Sequence, residues 1–277
     1  MFKSIVLGVD SSEQSRHAQT LAFYLARKLH ASVLGLHVVD ILSFEGPLFN
    51  DIAAPADLES YLDAPQVRET LTARGRKLLE DFAAAAVREQ VSAQTALDFG
   101  VVAAQICERS KSADLVVLGH RAAHEQVPAT NPGGIAESVA RKASGTVLIC
   151  PAVARELRQV VLAFDGSERA CKAMHAAAEL ASALDASLTV LSVSRDPKVG
   201  EHRLAQARAY FAPYGIKTDF RHLSGHAPAE IVAFIRQAPP DALFIGAYGH
   251  SRIVEMMLGS TTEHVLRNAP CPLFLSR

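Results

Sequence analysis

The chain repeats itself, and no other feature limits the available folds as much. Ser4-Ile5-Val6-Leu7-Gly8-Val9-Asp10-Ser11-Ser12-Glu13 is echoed by Gln159-Val160-Val161-Leu162-Ala163-Phe164-Asp165-Gly166-Ser167-Glu168. Ala113-Asp114-Leu115-Val116-Val117-Leu118-Gly119-His120 is echoed by Pro240-Asp241-Ala242-Leu243-Phe244-Ile245-Gly246-Ala247. Each echo is an apolar run that stops at an acidic or small-residue turn. The first half carries extra sequence, placed at 41–66, where Pro47, Pro55 and Pro65 break the periodicity. The second half passes from strand to helix quickly, around 194–198.

Apolar runs predict strands near 4–9, 33–39, 91–98, 114–119 and 146–150. A second set is predicted near 159–164, 187–193, 216–223, 241–247 and 272–276. The first and fourth of each set are almost continuously apolar, as befits strands buried on both faces. Helical spacing fills the gaps, as in Ala18, Leu21, Ala22, Leu25 and Leu29. Strand-helix alternation implies a parallel sheet with helices on both faces, an α/β fold. The expected division is 1–151 and 158–277, joined by a linker at 151–158.

Composition narrows the function classes. The 277 residues carry a formal net charge of −1, so nothing in the totals invites nucleic acid or a membrane. No apolar stretch approaches the ~18 residues of a membrane span. The start, Met1-Phe2-Lys3-Ser4, runs straight into a strand, which predicts a chain without a secretory leader. Cys107, Cys150, Cys171 and Cys271 are scattered with no CxxC. They read as free or buried thiols in a reducing, cytoplasmic setting.

The sharpest chemical signal lies near the C-terminal end. Gly246-Ala247-Tyr248-Gly249 follows the strand Ala242-Leu243-Phe244-Ile245, and Gly259-Ser260-Thr261 opens a helix-like stretch over 261–268. Glycine lets backbone approach an anion closely. Amides at a helix start favour negative charge, and hydroxyls add donors. This Gly-x2-Gly-x9-Gly-Ser/Thr spacing resembles the ATP-binding loop of the universal stress protein family. The turns Val-Asp-Ser-Ser and Phe-Asp-Gly-Ser and the closing Ser260-Thr261-Thr262-Glu263-His264-Val265-Leu266-Arg267-Asn268-Ala269-Pro270-Cys271-Pro272 extend the resemblance over nearly the whole chain.

The resemblance implies two tandem doubly wound, Rossmann-like domains, each a five-stranded parallel sheet in the order 3-2-1-4-5. In such a sheet ligands sit at the carboxyl ends of the strands where chain direction switches, here between strands one and four. Asp165 ends the one and Gly246 the other. By the same resemblance, backbone groups near Ala163, Phe164 and Val193 hold adenine and Asp165 takes ribose hydroxyls. Gly246, Gly249, Gly259, Ser260 and Thr261 surround the phosphates of ATP, with or without Mg²⁺. His250 faces either a phosphate or solvent. Two of these assignments also fit plain structure: Asp165 as a helix cap, and Ser260-Thr261-Thr262-Glu263 as a capping box.

The first half departs from this pattern. Gly119 and Asp10 are kept, but Ala122 stands where the second glycine belongs. Gly134 and Ile135 replace Ser260 and Thr261, and Pro128 and Pro132 remove amide donors. That half is expected to keep the fold and lose the phosphate site.

Other constellations are weak. The pairs His120/His124 and His222/His226 fall in predicted loops or strand ends, and no HExxH, GxSxG or Walker lysine motif occurs. Three functions stay open: an ATP-binding regulatory or stress-response protein, a slow ATPase of the same fold, and a nucleotide-free interaction protein. Arg252 and Glu255 are the loop residues on which hydrolysis would depend. The fifth strands, Thr146–Cys150 and 272–275, are expected to pack the halves together. A homodimer of the whole chain and a protein partner of unknown identity are also expected.

Overall fold

The structure is a computed structural model that describes residues 2–40, 65–120, 134–151, 155–247 and 259–277. Most of the insert at 41–66 lies outside them.

In the first half, β1 (Ser4–Gly8), β2 (Ser32–Asp40), β3 (Ala93–Gly100), β4 (Leu115–Gly119) and β5 (Thr146–Cys150) alternate with helices. The helices are α1 (Glu13–Leu29), α2 (Pro65–Arg88), α3 (Val102–Ser110) and α4 (Ile135–Lys142). The second half repeats the plan with β6 (Gln159–Ala163), β7 (Ser187–Val193), β8 (Thr218–Leu223), β9 (Ala242–Gly246) and β10 (Leu273–Ser276). Its helices are α5 (Glu168–Leu184), α6 (Pro197–Phe211), α7 (Ala227–Gln237) and α8 (Ser260–Asn268). Every strand expected from sequence is present, with ends differing by a residue or two.

All ten strands form one sheet in the order β3-β2-β1-β4-β5-β10-β9-β6-β7-β8. Each half therefore has the 3-2-1-4-5 order, parallel throughout. The halves join edge to edge where β10 runs antiparallel to β5, with Phe274 opposite Leu148. An apolar edge strand left bare would invite stray pairing; here each fifth strand covers the other.

Alternation along the joining strands feeds two cores. Leu148 and Phe274 belong to the layer under α1, α2, α5 and α6, while Val147, Ile149, Leu273 and Leu275 belong to the layer under α3, α4, α7 and α8. Both layers run unbroken across the junction. Further contacts stitch the halves. Leu157, at the end of the connecting segment, is fully buried. The Phe2 amide donates to Glu179 Oε1 on α5 at 2.5 Å.

Local signals explain the main helix starts. Ser12 Oγ accepts from the Ser15 amide at 3.0 Å, and Ser167 Oγ from the Ala170 amide at 3.2 Å. These are matching N-caps of α1 and α5. Upstream, Asp10 Oδ1 accepts from the Ser12 amide at 2.7 Å and Asp165 Oδ1 from the Ser167 amide at 2.9 Å. The acidic turn after each first strand is thus an Asx turn that sets up the cap. The second aspartate of each repeat has a different job. Asp114 Oδ2 accepts from the amides of Lys3 and Ser4, at 2.7 and 2.9 Å. Asp241 Oδ2 does the same for Arg158 and Gln159, at 2.9 and 2.8 Å. Each fixes the entry of a central strand.

All four cysteines are free. Burial pushes the Cys271 thiol up to about 12 and raises Cys150 further; desolvation also raises Cys107. Since the thiolate is the nucleophile, a short iodoacetamide pulse at pH 8 should reach the half-buried Cys107 and Cys171 before the buried pair. Cys150 and Cys271 should stay unmodified until the chain unfolds. Peptide mass spectrometry reads the order, and early labelling of Cys150 would contradict this packing. No helix among the described residues is long and apolar enough to cross a membrane.

Candidate functional site

A crevice opens at the carboxyl ends of β6 and β9, where the chain leaves β6 for one face of the sheet and β9 for the other. It is a partly open cleft rather than an enclosed cavity. Ala163, Phe164, Asp165, Val193, Gly246, Gly259, Ser260 and Thr261 all line it. Leu191, Ala227, Ile231 and Ile245 give it an apolar wall. Residues far apart in the chain thus converge on one space. Gly249, His250, Arg252 and Glu255 lie outside the described residues.

The helix that borders the crevice starts one residue earlier than its sequence suggests. Gly259, not Ser260, is the N-cap of α8, with φ −59° and ψ 146° and no side-chain cap bond. The expected capping box does not form. Ser260 is already the first helical residue, and Glu263 pairs with Arg267 at 2.7 Å. The phase of α8 is set instead by Thr262, 3% exposed, whose Oγ1 donates to the Gly246 carbonyl at 2.8 Å. That bond pins the helix start to the strand end. An N-terminus without a side-chain cap, held beside a crevice, has the polarity that suits an anion.

Gly246 has a reason to be glycine that its spacing did not reveal. A Cβ there would lie 2.8 Å from the Ala170 amide nitrogen and 2.9 Å from the Arg169 carbonyl carbon. The backbone at the start of α5 occupies that space. Gly119 is in the same position against α1, with a Cβ that would come 2.8 Å from the Gln14 carbonyl carbon. The same packing gives Gly119 a structural reason to be glycine that does not depend on a ligand. Thr262, by contrast, has an alanine counterpart in the first half, Ala136.

Asp165 keeps the Asx-turn bond described above, so its structural role is real and does not depend on a ligand. Among the described residues no three His, Cys, Asp or Glu side chains gather as a metal site.

The model of the universal stress protein family matches residues 1–151 and 196–277. The chain belongs to the universal stress protein family. A universal stress protein of Synechocystis sp. is 25% identical over 287 residues, covering 99% of this chain and all of that one. The crystal structure of a universal stress protein from Archaeoglobus fulgidus superposes with a TM-score of 0.78 at 20% identity, covering 99% of this chain and 96% of that one. That likeness extends the shared fold to both halves of this universal stress protein. Another member, crystallised in complex with cAMP, matches 44% of this chain and 98% of its own at 22% identity and a TM-score of 0.40.

Proposed function

We propose that this universal stress protein is a nucleotide-responsive regulatory protein that holds one ATP in the crevice of its second half. The observation that carries the reading is the convergence of Asp165, Gly246 and the start of α8 on one cleft at the switch point of the sheet. In this reading Gly259, Ser260 and Thr261 cradle the phosphates with Gly249 and His250, and Asp165 meets the ribose. The base lies toward Ala163, Phe164 and Val193. Mg²⁺ accompanies the phosphates if it is present at all.

Binding rather than turnover is the proposed activity. Amides, hydroxyls and one carboxylate suffice to hold a nucleotide, whereas fast phosphoryl transfer needs a positioned water and stabilised charge. The unit 1–151 serves as a structural partner to the nucleotide-holding unit 158–277. The whole acts in the cytoplasm as a homodimer that presents its nucleotide state to a protein partner.

The test is calorimetric titration of the folded chain with ATP and ADP, alongside mass spectrometry of whatever the denatured protein releases. One saturable site per chain and a released adenine nucleotide are expected. A folded chain that takes up neither nucleotide at millimolar concentration would leave the interaction-protein reading standing instead.

A further inference from the structure

The helix that borders the crevice lacks a donor near its far end, and the other half of the chain supplies one. In a helix each carbonyl accepts from the amide four residues on. For Leu266 of α8 that residue is Pro270, which has no N–H. Leu266 is 3% exposed, so its carbonyl needs a partner inside the protein. His120, the first residue after β4, places Nε2 3.3 Å from that carbonyl. A carbonyl only accepts, so Nε2 carries the hydrogen. The counterpart of His120 in the repeat is Ala247, whose side chain has no donor to return.

A second tie crosses the seam. Glu137 of α4, a side chain 13% exposed, accepts from Arg267 Nε at 3.4 Å. Arg267 Nη2 also donates to Glu263, in the first turn of α8, at 2.7 Å. Arg267 thus links the first half to the turn that holds Ser260, Thr261 and Thr262, which line the crevice. Within its own half, α8 is fixed at its start by Thr262 and at its end by Arg236, whose Nη2 donates to Asn268 Oδ1 at 3.0 Å.

We propose that His120 and Glu137, both in the half expected to lack a phosphate site, are positioning residues for the crevice of the other half. Neither lines the crevice. Each acts through α8, nine residues long, which as a rigid element carries a shift at its end to its start. They hold it where its first amides and hydroxyls meet the phosphates. The proposal rests on the nucleotide reading of this site.

The experiment measures ATP affinity by calorimetry for the full chain, His120→Ala, His120→Gln, Glu137→Ala and Thr146→Val, and follows hydrogen exchange over 260–268 without ligand. Glutamine can restore an N–H donor near the position of Nε2. Thr146 of β5 meets Ser276 of β10 at 3.3 Å between hydroxyls, so Thr146→Val weakens the seam without removing a bond to α8. His120→Ala and Glu137→Ala should each weaken ATP binding threefold or more, the scale of one modest hydrogen bond, and speed exchange in α8. Thr146→Val should stay within twofold of the parent, and His120→Gln should recover most of the loss. Binding that is unchanged in the alanine variants overturns the assignment and leaves nucleotide binding intact. So does a loss that Thr146→Val shares, that glutamine does not relieve, or that leaves exchange in α8 unchanged. If the folded parent binds no ATP, the nucleotide reading fails and takes this proposal with it.

Discussion

Replacing Phe274 by alanine is expected to remove about 3–5 kcal/mol of folding stability, the usual cost of deleting a buried aromatic ring. Phe274 is fully buried. It stacks on Phe244 with ring centroids 4.4 Å apart and planes 6° from parallel. It also stands on β10 opposite Leu148 of β5, at the seam where the halves meet. The ring is held by both halves, and neither can close the space without disturbing the other. Equilibrium urea unfolding followed by circular dichroism should show a lower midpoint in a single transition. Val87→Ala, at a position 77% exposed, should stay within about 0.5 kcal/mol of the parent. Two separate transitions, only the second moved by Phe274→Ala, would mean that the halves fold independently and that the seam couples them weakly.

The sheet was legible because its determinants are local. An apolar run bounded by a turn needs no knowledge of its partner, and the repeat supplied each reading twice. The two strand-entry aspartates show the opposite case. Asp114 serves amides at positions 3 and 4, and Asp241 those at 158 and 159, so the motif was visible but its work was not. The start of α8 failed for a related reason. Ser260-Thr261-Thr262-Glu263 has the spacing of a capping box, and a shift of one residue leaves every local preference nearly unchanged. The frame is chosen by Thr262 reaching the Gly246 carbonyl, a contact set by tertiary structure.

Gly246→Ala and Gly119→Ala should each destabilise the chain by about 1–3 kcal/mol, the cost of forcing an added carbon into packed space. In both cases the obstacle is backbone. The new Cβ would lie 2.8 Å from Ala170 N in the second half, and 2.8 Å from the Gln14 carbonyl carbon and 2.9 Å from Ser15 N in the first. A side chain can rotate away; a helix start must move as a body. The two substitutions should then part company in their effect on binding. Moving the start of α5 displaces Ser167 and Ala170, which line the crevice, and should weaken the proposed ATP binding tenfold or more. Moving the start of α1 disturbs no part of that crevice, so Gly119→Ala should leave the proposed ATP binding at the parent's level. Thermal unfolding and calorimetry on both variants check the pair. Loss of binding in Gly246→Ala with no loss of stability would show that the glycine serves the ligand's approach, and that the helix accommodates the methyl group. Equal losses of stability with unequal losses of binding would place its role where the geometry does, in the packing of α5 against β9, with the site inheriting its shape from that contact.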